Sequence, residues 1–313
     1  MIKKALIVGC TGQDGTYLFK NLQRRNYEII GIARDFVHST IQKHIKPVDI
    51  SNTKQVCDLL DEHKPDEIYY LAVFHQSAEE GSRDDTESFR NSIDVNLLSL
   101  NNFLEGINKY SRNSRLFYAA SSHIFGDTSE TIQCETSHFK PNCVYGITKT
   151  AGIHASHFYR KAHSVFSSVG ILYNHSSPIQ SSRFVCKKIV DTAVSIKNKA
   201  QDKLIVGNLG QKIDLGYAPD YVEAMYRILQ LSSPEDFIIS SGKVHTVLDI
   251  VKSVFEYLDM DWTKFVEENP DLIAKKGKPA LLGNNQKLKL MTGWQPTVSF
   301  NEMIKIMVTE GRK

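Results

Sequence analysis

Cysteine is scarce and unpaired in this sequence. Five residues, Cys10, Cys57, Cys134, Cys143 and Cys186, are scattered over 313 positions with no Cys-x-x-Cys pair. A disulfide framework or a zinc site needs paired or clustered spacing, so free thiols in a reducing compartment are expected, and no metal site. Long apolar runs are also missing. Stretches such as Ala5-Leu6-Ile7-Val8 fall far short of the roughly 20 residues that cross a bilayer, so no membrane contact is expected. Met1-Ile2-Lys3-Lys4 carries the charge of an export signal, but only four apolar residues follow before Gly9. That leaves no hydrophobic export segment, and a cytoplasmic protein is expected. Charge of one sign is not concentrated either: 38 Lys and Arg against 35 Asp and Glu leave +3, without a like-charge block. A dedicated nucleic-acid binder is therefore disfavoured. Internal repeats, low-complexity tracts and flexible linkers are absent as well.

What is present is ordinary globular composition, 41% hydrophobic and 23% charged, at a length suited to one large domain or two unequal ones. The first 120 residues alternate short β-branched runs with amphipathic stretches, the pattern of a parallel sheet built from βαβ units. Strands are predicted over 5–8, 28–32, 67–71 and 115–120. Helices are predicted over 16–25, over 51–62 with Ser51 as N-cap, and over 93–109. Beyond about residue 170 the alternation loosens and turns multiply, as in Asn174-His175-Ser176-Ser177-Pro178. Segments 204–206 and 236–239 read as strands that either return to the first sheet or form a small one. The expected class is α/β: a doubly wound parallel sheet over 1–170 with a return segment around 207–240. A smaller, interleaved C-terminal domain takes 171–206 and 241–313.

Gly9-x-x-Gly12-x-x-Gly15 falls between the first strand and the first helix. In that place the first glycine permits a tight turn and the second lets the backbone approach a pyrophosphate. The third packs helix on strand, and the helix N-terminus offers N–H donors. A glycine triplet alone is weak, but the strand–loop–helix setting points to a dinucleotide. The end of the second strand selects between cofactors: Asp35 would bond ribose hydroxyls and repel a 2′-phosphate, whereas Arg34 would accept one. The balance favours NAD over NADP.

Tyr145-Gly146-Ile147-Thr148-Lys149 places a phenol and an ammonium four apart on one face of a predicted helix. A nearby cation, together with a positive nicotinamide, would bring the phenol down from its ordinary value of about 10. The phenolate would then take a proton from a sugar hydroxyl as hydride leaves. Ser121, closing the strand Ala119-Ala120-Ser121-Ser122, would hold the substrate oxygen. A plain amphipathic helix start is the competing reading of Tyr-x-x-x-Lys.

Several further motifs make the chain recognisable: Gly12-Gln13-Asp14-Gly15-Thr16-Tyr17-Leu18, Ser121-Ser122-His123-Ile124-Phe125-Gly126, Gly170-Ile171-Leu172-Tyr173-Asn174-His175, Asp220-Tyr221-Val222-Glu223-Ala224-Met225 and Gly293-Trp294-Gln295-Pro296. With these, nearly end to end, it resembles the extended short-chain dehydrogenase/reductases acting on nucleotide sugars, and among them the GDP-mannose 4,6-dehydratase family. The resemblance implies a Rossmann fold, C4 oxidation by Tyr145, and a GDP-linked hexose or heptose as partner. By matching position it implies Thr11, Gln13, Asp14, Asp49, Ile50, Leu71, Ala72 and His175 at the cofactor, with Ser122 and Asn174 at the substrate. It also implies a homodimer or larger homo-oligomer built on two long helices, 86–109 and the one carrying Tyr145.

Departures from the family pattern bear on the reaction. Where the family has the glutamate that removes the C5 proton before water leaves C6, this sequence has His123. Its ordinary pKa of about 6.5 allows a base, and a ring that only fills space or binds substrate is equally open. Ser177-Pro178-Ile179-Gln180 lacks the family's phosphate-binding arginine, and the C-terminal substrate motif is shortened at Lys278-Pro279. Lys187 and Lys278 read either as point charges for the diphosphate or as solvated surface charges. His75-Gln76 near Glu79-Glu80 reads as a polar loop over the cofactor rather than a metal site. The resulting expectation is an NAD-dependent C4 dehydrogenase of GDP-manno-heptose or GDP-mannose in bacterial polysaccharide (capsule or lipopolysaccharide) assembly. Its rivals are a dehydratase using His123, a C4 epimerase or reductase, and a non-catalytic NAD(P)-binding regulator.

Overall fold

A computed structural model describes residues 2–34, 45–74, 85–269 and 281–310. Strands β1 (Lys4–Val8), β2 (Glu28–Ile32), β3 (Ile45–Lys46), β4 (Glu67–Tyr70), β5 (Arg115–Ser121), β6 (Phe166–Leu172) and β10 (Asp236–Ile239) form one parallel sheet in the order β10-β6-β5-β4-β1-β2-β3. Read from β3, this is the doubly wound Rossmann order with one strand added, and the order reverses between β1 and β4. The segment 236–239 therefore returns to the first sheet. Strand β8 (Leu204–Val206) pairs instead with β12 (Val266–Glu268), while β7 (Asn174–Ser176), β9 (Lys212–Tyr217) and β11 (Val244–Thr246) make a second small sheet.

Both faces of the large sheet are covered, because successive strand residues point to opposite sides. Leu6 and Val8 of β1 join one core with Val56, Leu59 and Leu60 of α2 (Thr53–His63), Phe103 and Ile107 of α4 (Ser99–Tyr110), and Ile153 of α5 (Val144–His163). Ala5 and Ile7 join the other, with Leu18 and Leu22 of α1 (Gln13–Arg24), Met225 and Ile228 of α7 (Ala218–Leu229), and Leu288 of α9 (Gln286–Thr292). A third core unites α6 (Val185–Lys197), α8 (Val247–Tyr257) and α10 (Phe300–Glu310) with β8 and β9.

Two helix starts and the continuity of one helix differ from the sequence reading. Helix α1 starts at Gln13, not Thr16, because Gly12 serves as its N-cap. Asn52, not Ser51, caps α2, its side chain accepting the Gln55 N–H at 3.1 Å. The single helix predicted over 93–109 is α3 (Asp85–Ile93), a wider π-helical turn at Asp94–Leu98, and α4. Among the described residues, no helix is long and apolar enough to cross a membrane.

Candidate active site

The glycine loop sits where β1 and β4 diverge. Gly9 adopts φ +92, its N–H is taken by Ile32 O at 2.8 Å, and Leu71 N–H reaches Val8 O at 2.9 Å. A Cβ on Gly9 would stand 2.9 Å from Ala72 N, and one on Gly15 only 2.3 Å from Gly9 O. The turn and the helix–strand approach thus both require glycine. Gly12, capping α1, has no side chain to take the first-turn N–H groups, so this end of the helix presents backbone donors and its positive pole to a ligand. Thr11 and Gly12 are exposed. These features fit a dinucleotide pyrophosphate.

The flanking positions expected at the cofactor cluster near the C-terminal ends of β1, β2 and β4. Leu71 and Ala72 lie half-buried against Gly9, and Arg34 is exposed just beyond β2; Asp35 lies outside the described residues. Asp49 is turned to Ser51, accepting from its N–H at 2.9 Å and its Oγ at 2.7 Å, and the Ile50 carbonyl is held by Asn102 Nδ2 at 3.0 Å. Asp14 and His175 bind each other: Nε2 lies 3.0 Å from Oδ2, while Nδ1 faces Tyr173 O at 2.7 Å and the ring stacks on Tyr221 at 4.5 Å. Gln13 links to the same segment through His175 O and Ser177 Oγ.

Ser121, His123, Tyr145 and Lys149 converge between the end of β5 and the first turns of α5. The Tyr145 phenol is hydrogen-bonded to Ser121, and the His123 ring meets it edge-on at 5.5 Å. Lys149 Nζ, fully buried, donates to Ala119 O at 2.7 Å, 4.9 Å from the Tyr118 ring centre and 5.8 Å from that of Tyr145. Burial pushes the Tyr145 phenol up to about 12; the Ser121 bond opposes this, while Cys143 and Asp14 add to it. Burial likewise brings Lys149 down to about 7. The expected lowering of the phenol by Lys149 is therefore not achieved by the chain alone, since desolvation outweighs a cation held away toward Ala119 O.

Other expected residues lie differently. Ser122 is only 3% exposed, packed inside a 3-10 turn, Ser122–Ile124, where its carbonyl accepts Phe125 N–H. Asn174 is exposed on β7. Lys187 is not a solvated surface charge: it is buried on α6 and paired with Asp191. Lys278 and His75-Gln76 lie outside the described residues. Two residues passed over in the sequence also belong here. Cys143 caps α5 and places Sγ 3.7 Å from His123 Nδ1. Asn96, fully buried in the π turn, bonds Phe74 N, Phe74 O and Thr148 Oγ1. A short polar side chain with 3.6-residue spacing to nothing gave no sign of either.

The strand order, the glycine turn and the Ser–Tyr–Lys group define an NAD(P)-dependent enzyme of the extended short-chain dehydrogenase/reductase type. A family model described as GDP-mannose 4,6 dehydratase matches residues 6–307, and the chain belongs to that family. It is 33% identical to GDP-mannose 4,6 dehydratase 2 of Arabidopsis thaliana, over 98% of this chain and 86% of the relative. To the GDP-mannose 4,6-dehydratase of Vibrio cholerae it is 29% identical, over 100% of this chain and 95% of that protein. Among solved structures, a putative epimerase from Burkholderia cenocepacia superposes with TM-score 0.86 at 19% identity, covering 99% of both chains. A dTDP-glucose 4,6-dehydratase from Bacillus anthracis in complex with NAD gives 0.84 at 18%, covering 99% of this chain and 96% of that one.

Proposed function

We propose that this enzyme oxidises C4 of a GDP-sugar of the manno-heptose or mannose type to the 4-keto nucleotide sugar, and stops there. Ser121 would hold the C4 oxygen, Tyr145 would take its proton, and Lys149 would bind the nicotinamide ribose. When bound, the nicotinamide supplies the hydride acceptor and a positive charge beside the phenol. Tyr145 needs that charge, because burial alone holds it up at about 12. NAD is favoured over NADP by Asp35 and by Gln180 where the family carries arginine.

The observation that carries the reading is His123. It stands beside Tyr145 where the family pattern has the carboxylate that removes the C5 proton. The second reading, a 4,6-dehydratase, uses His123 as that base. In the preferred reading residues 1–170 with 207–240 serve the dinucleotide, and 171–206 with 241–313 serve the GDP-sugar. Asn174 and Lys278 would meet the sugar nucleotide, whereas the ion pair of Lys187 with Asp191 argues against a direct role of Lys187. A cytoplasmic homodimer in bacterial polysaccharide assembly completes the proposal, supported by exposed Leu98 and Phe158 on the two long helices through which the family pairs.

The test is to incubate the purified protein with GDP-manno-heptose and with GDP-mannose and weigh the products. A 4-keto product that keeps its C6 oxygen is expected from one of them; a 6-deoxy-4-keto product overturns the proposal in favour of dehydration.

A further inference from the structure

Cys143 stands one residue before α5 with extended backbone, φ −147 and ψ 157, the conformation of an N-cap. Its Sγ accepts the Gly146 N–H at 3.4 Å, a bond usually made by an oxygen of Ser, Thr, Asp or Asn. The same sulfur lies 3.7 Å from Nδ1 of His123. This meeting is imposed by backbone packing. The turn carrying His123 is tied down by its own N–H to Ser121 Oγ at 3.3 Å. It also lies so close to α5 that a Cβ on Gly146 would stand 2.5 Å from His123 O.

The proton inventory then favours one tautomer. A backbone N–H can only donate, so the sulfur is the acceptor toward Gly146. The one thiol proton is then free to point at Nδ1, which receives it through its lone pair. A neutral imidazole has a single N–H, which is left to Nε2. We infer that Cys143 is a positioning residue that holds His123 as the Nε2–H tautomer. A base needs a lone pair, and in this form neither nitrogen has one to spare: Nδ1 is engaged by the thiol and Nε2 carries the proton. His123 is then a hydrogen-bond donor to an oxygen of the sugar and does not remove the C5 proton. The consequence for the reaction rests on the proposed C4 oxidation, and deepens it by explaining why chemistry ends at the 4-keto stage.

The experiment uses the full-length protein with whatever nucleotide co-purifies, labelled at histidine with 15N. Long-range 15N–1H correlation at neutral pH reads the tautomer, with His123 assigned by its disappearance in His123→Gln. Wild type is expected to show unprotonated Nδ1 and protonated Nε2. Cys143→Ser, whose hydroxyl also accepts from Gly146 and donates to Nδ1, is expected to keep that pattern. In Cys143→Ala the two nitrogen signals should move toward each other as both tautomers become populated. A wild-type ring protonated at Nδ1, alone or together with Nε2, overturns the assignment, and so does a Cys143→Ala spectrum unchanged from wild type. Wild type and Cys143→Ser decide the matter even if Cys143→Ala does not fold. Failure here leaves C4 oxidation standing, whereas a 6-deoxy product would refute that reading and leave the tautomer untouched.

Discussion

His175 couples the glycine loop to the segment that follows β6 through one ionised side chain. Both ring nitrogens face oxygens that only accept, Asp14 Oδ2 at 3.0 Å and Tyr173 O at 2.7 Å, which calls for a proton on each. Burial by itself would lower this imidazolium, but the Asp14 carboxylate and the Tyr173 carbonyl together hold its pKa above the usual 6.5. A histidine raised in the folded state contributes stability that is complete below its unfolded pKa and is lost as pH rises through the folded value. His175→Gln should therefore melt well below wild type at pH about 6, and the gap should narrow as pH climbs past 6.5. Melting curves of both proteins across that range check this; a gap independent of pH would sink it. Asp14 and His175 were each legible as motif residues. Their pairing was not, because 161 positions separate them, and nothing local to either reveals the other.

The break between α3 and α4 shows what periodicity conceals at the scale of an element. The sequence predicts one helix over 93–109, yet a π turn intervenes at Asp94–Leu98. Such a turn adds residues without interrupting the helical rod, so the apolar pattern before and after it still reads as helix. The turn buries Asn96, whose amide bridges both backbone groups of Phe74 to Ser92 and Thr148, the last on α5 next to Lys149. Asn96→Ala leaves those buried groups unsatisfied and should cost about 1–3 kcal/mol. Urea unfolding should show a lower midpoint with an unchanged slope; an unshifted midpoint would show that the bridge contributes nothing. Helix starts were harder to read than helix bodies. Ser51 and Asn52 are both competent caps, and only the path of the chain puts the Asn52 side chain under Gln55 N–H.

For the whole molecule, the C-terminal segment returns to the first sheet and closes its second face. Trp294, 2% exposed, joins that core and donates Nε1–H to Asp220 O at 2.8 Å. The Asp220 carboxylate in turn holds Thr297 and Val298. The two motifs Asp220-Tyr221-Val222 and Gly293-Trp294-Gln295-Pro296 thus act on each other, as packing between distant parts of the chain. Trp294→Ala should destabilise the protein by about 3–5 kcal/mol through the cavity it leaves. Chemical denaturation measures this directly, and a loss under about 1 kcal/mol would mean that the segment closes on the sheet without it.

Scarce, unclustered cysteine and short apolar runs, the alternation of strands and helices, the glycine turn, and the Tyr145–Lys149 spacing were all determined by the sequence itself. Each depends on composition or on neighbours within a few residues, and backbone geometry translates such spacing into structure without further help. Only the tertiary structure decided how those groups are charged and whom they meet. Desolvation is a property of everything packed around a side chain, so Tyr145 moves up and Lys149 down in a way no spacing reveals. Cys143, one of five unremarkable thiols in the sequence, reaches His123 only because α5 folds against the end of β5.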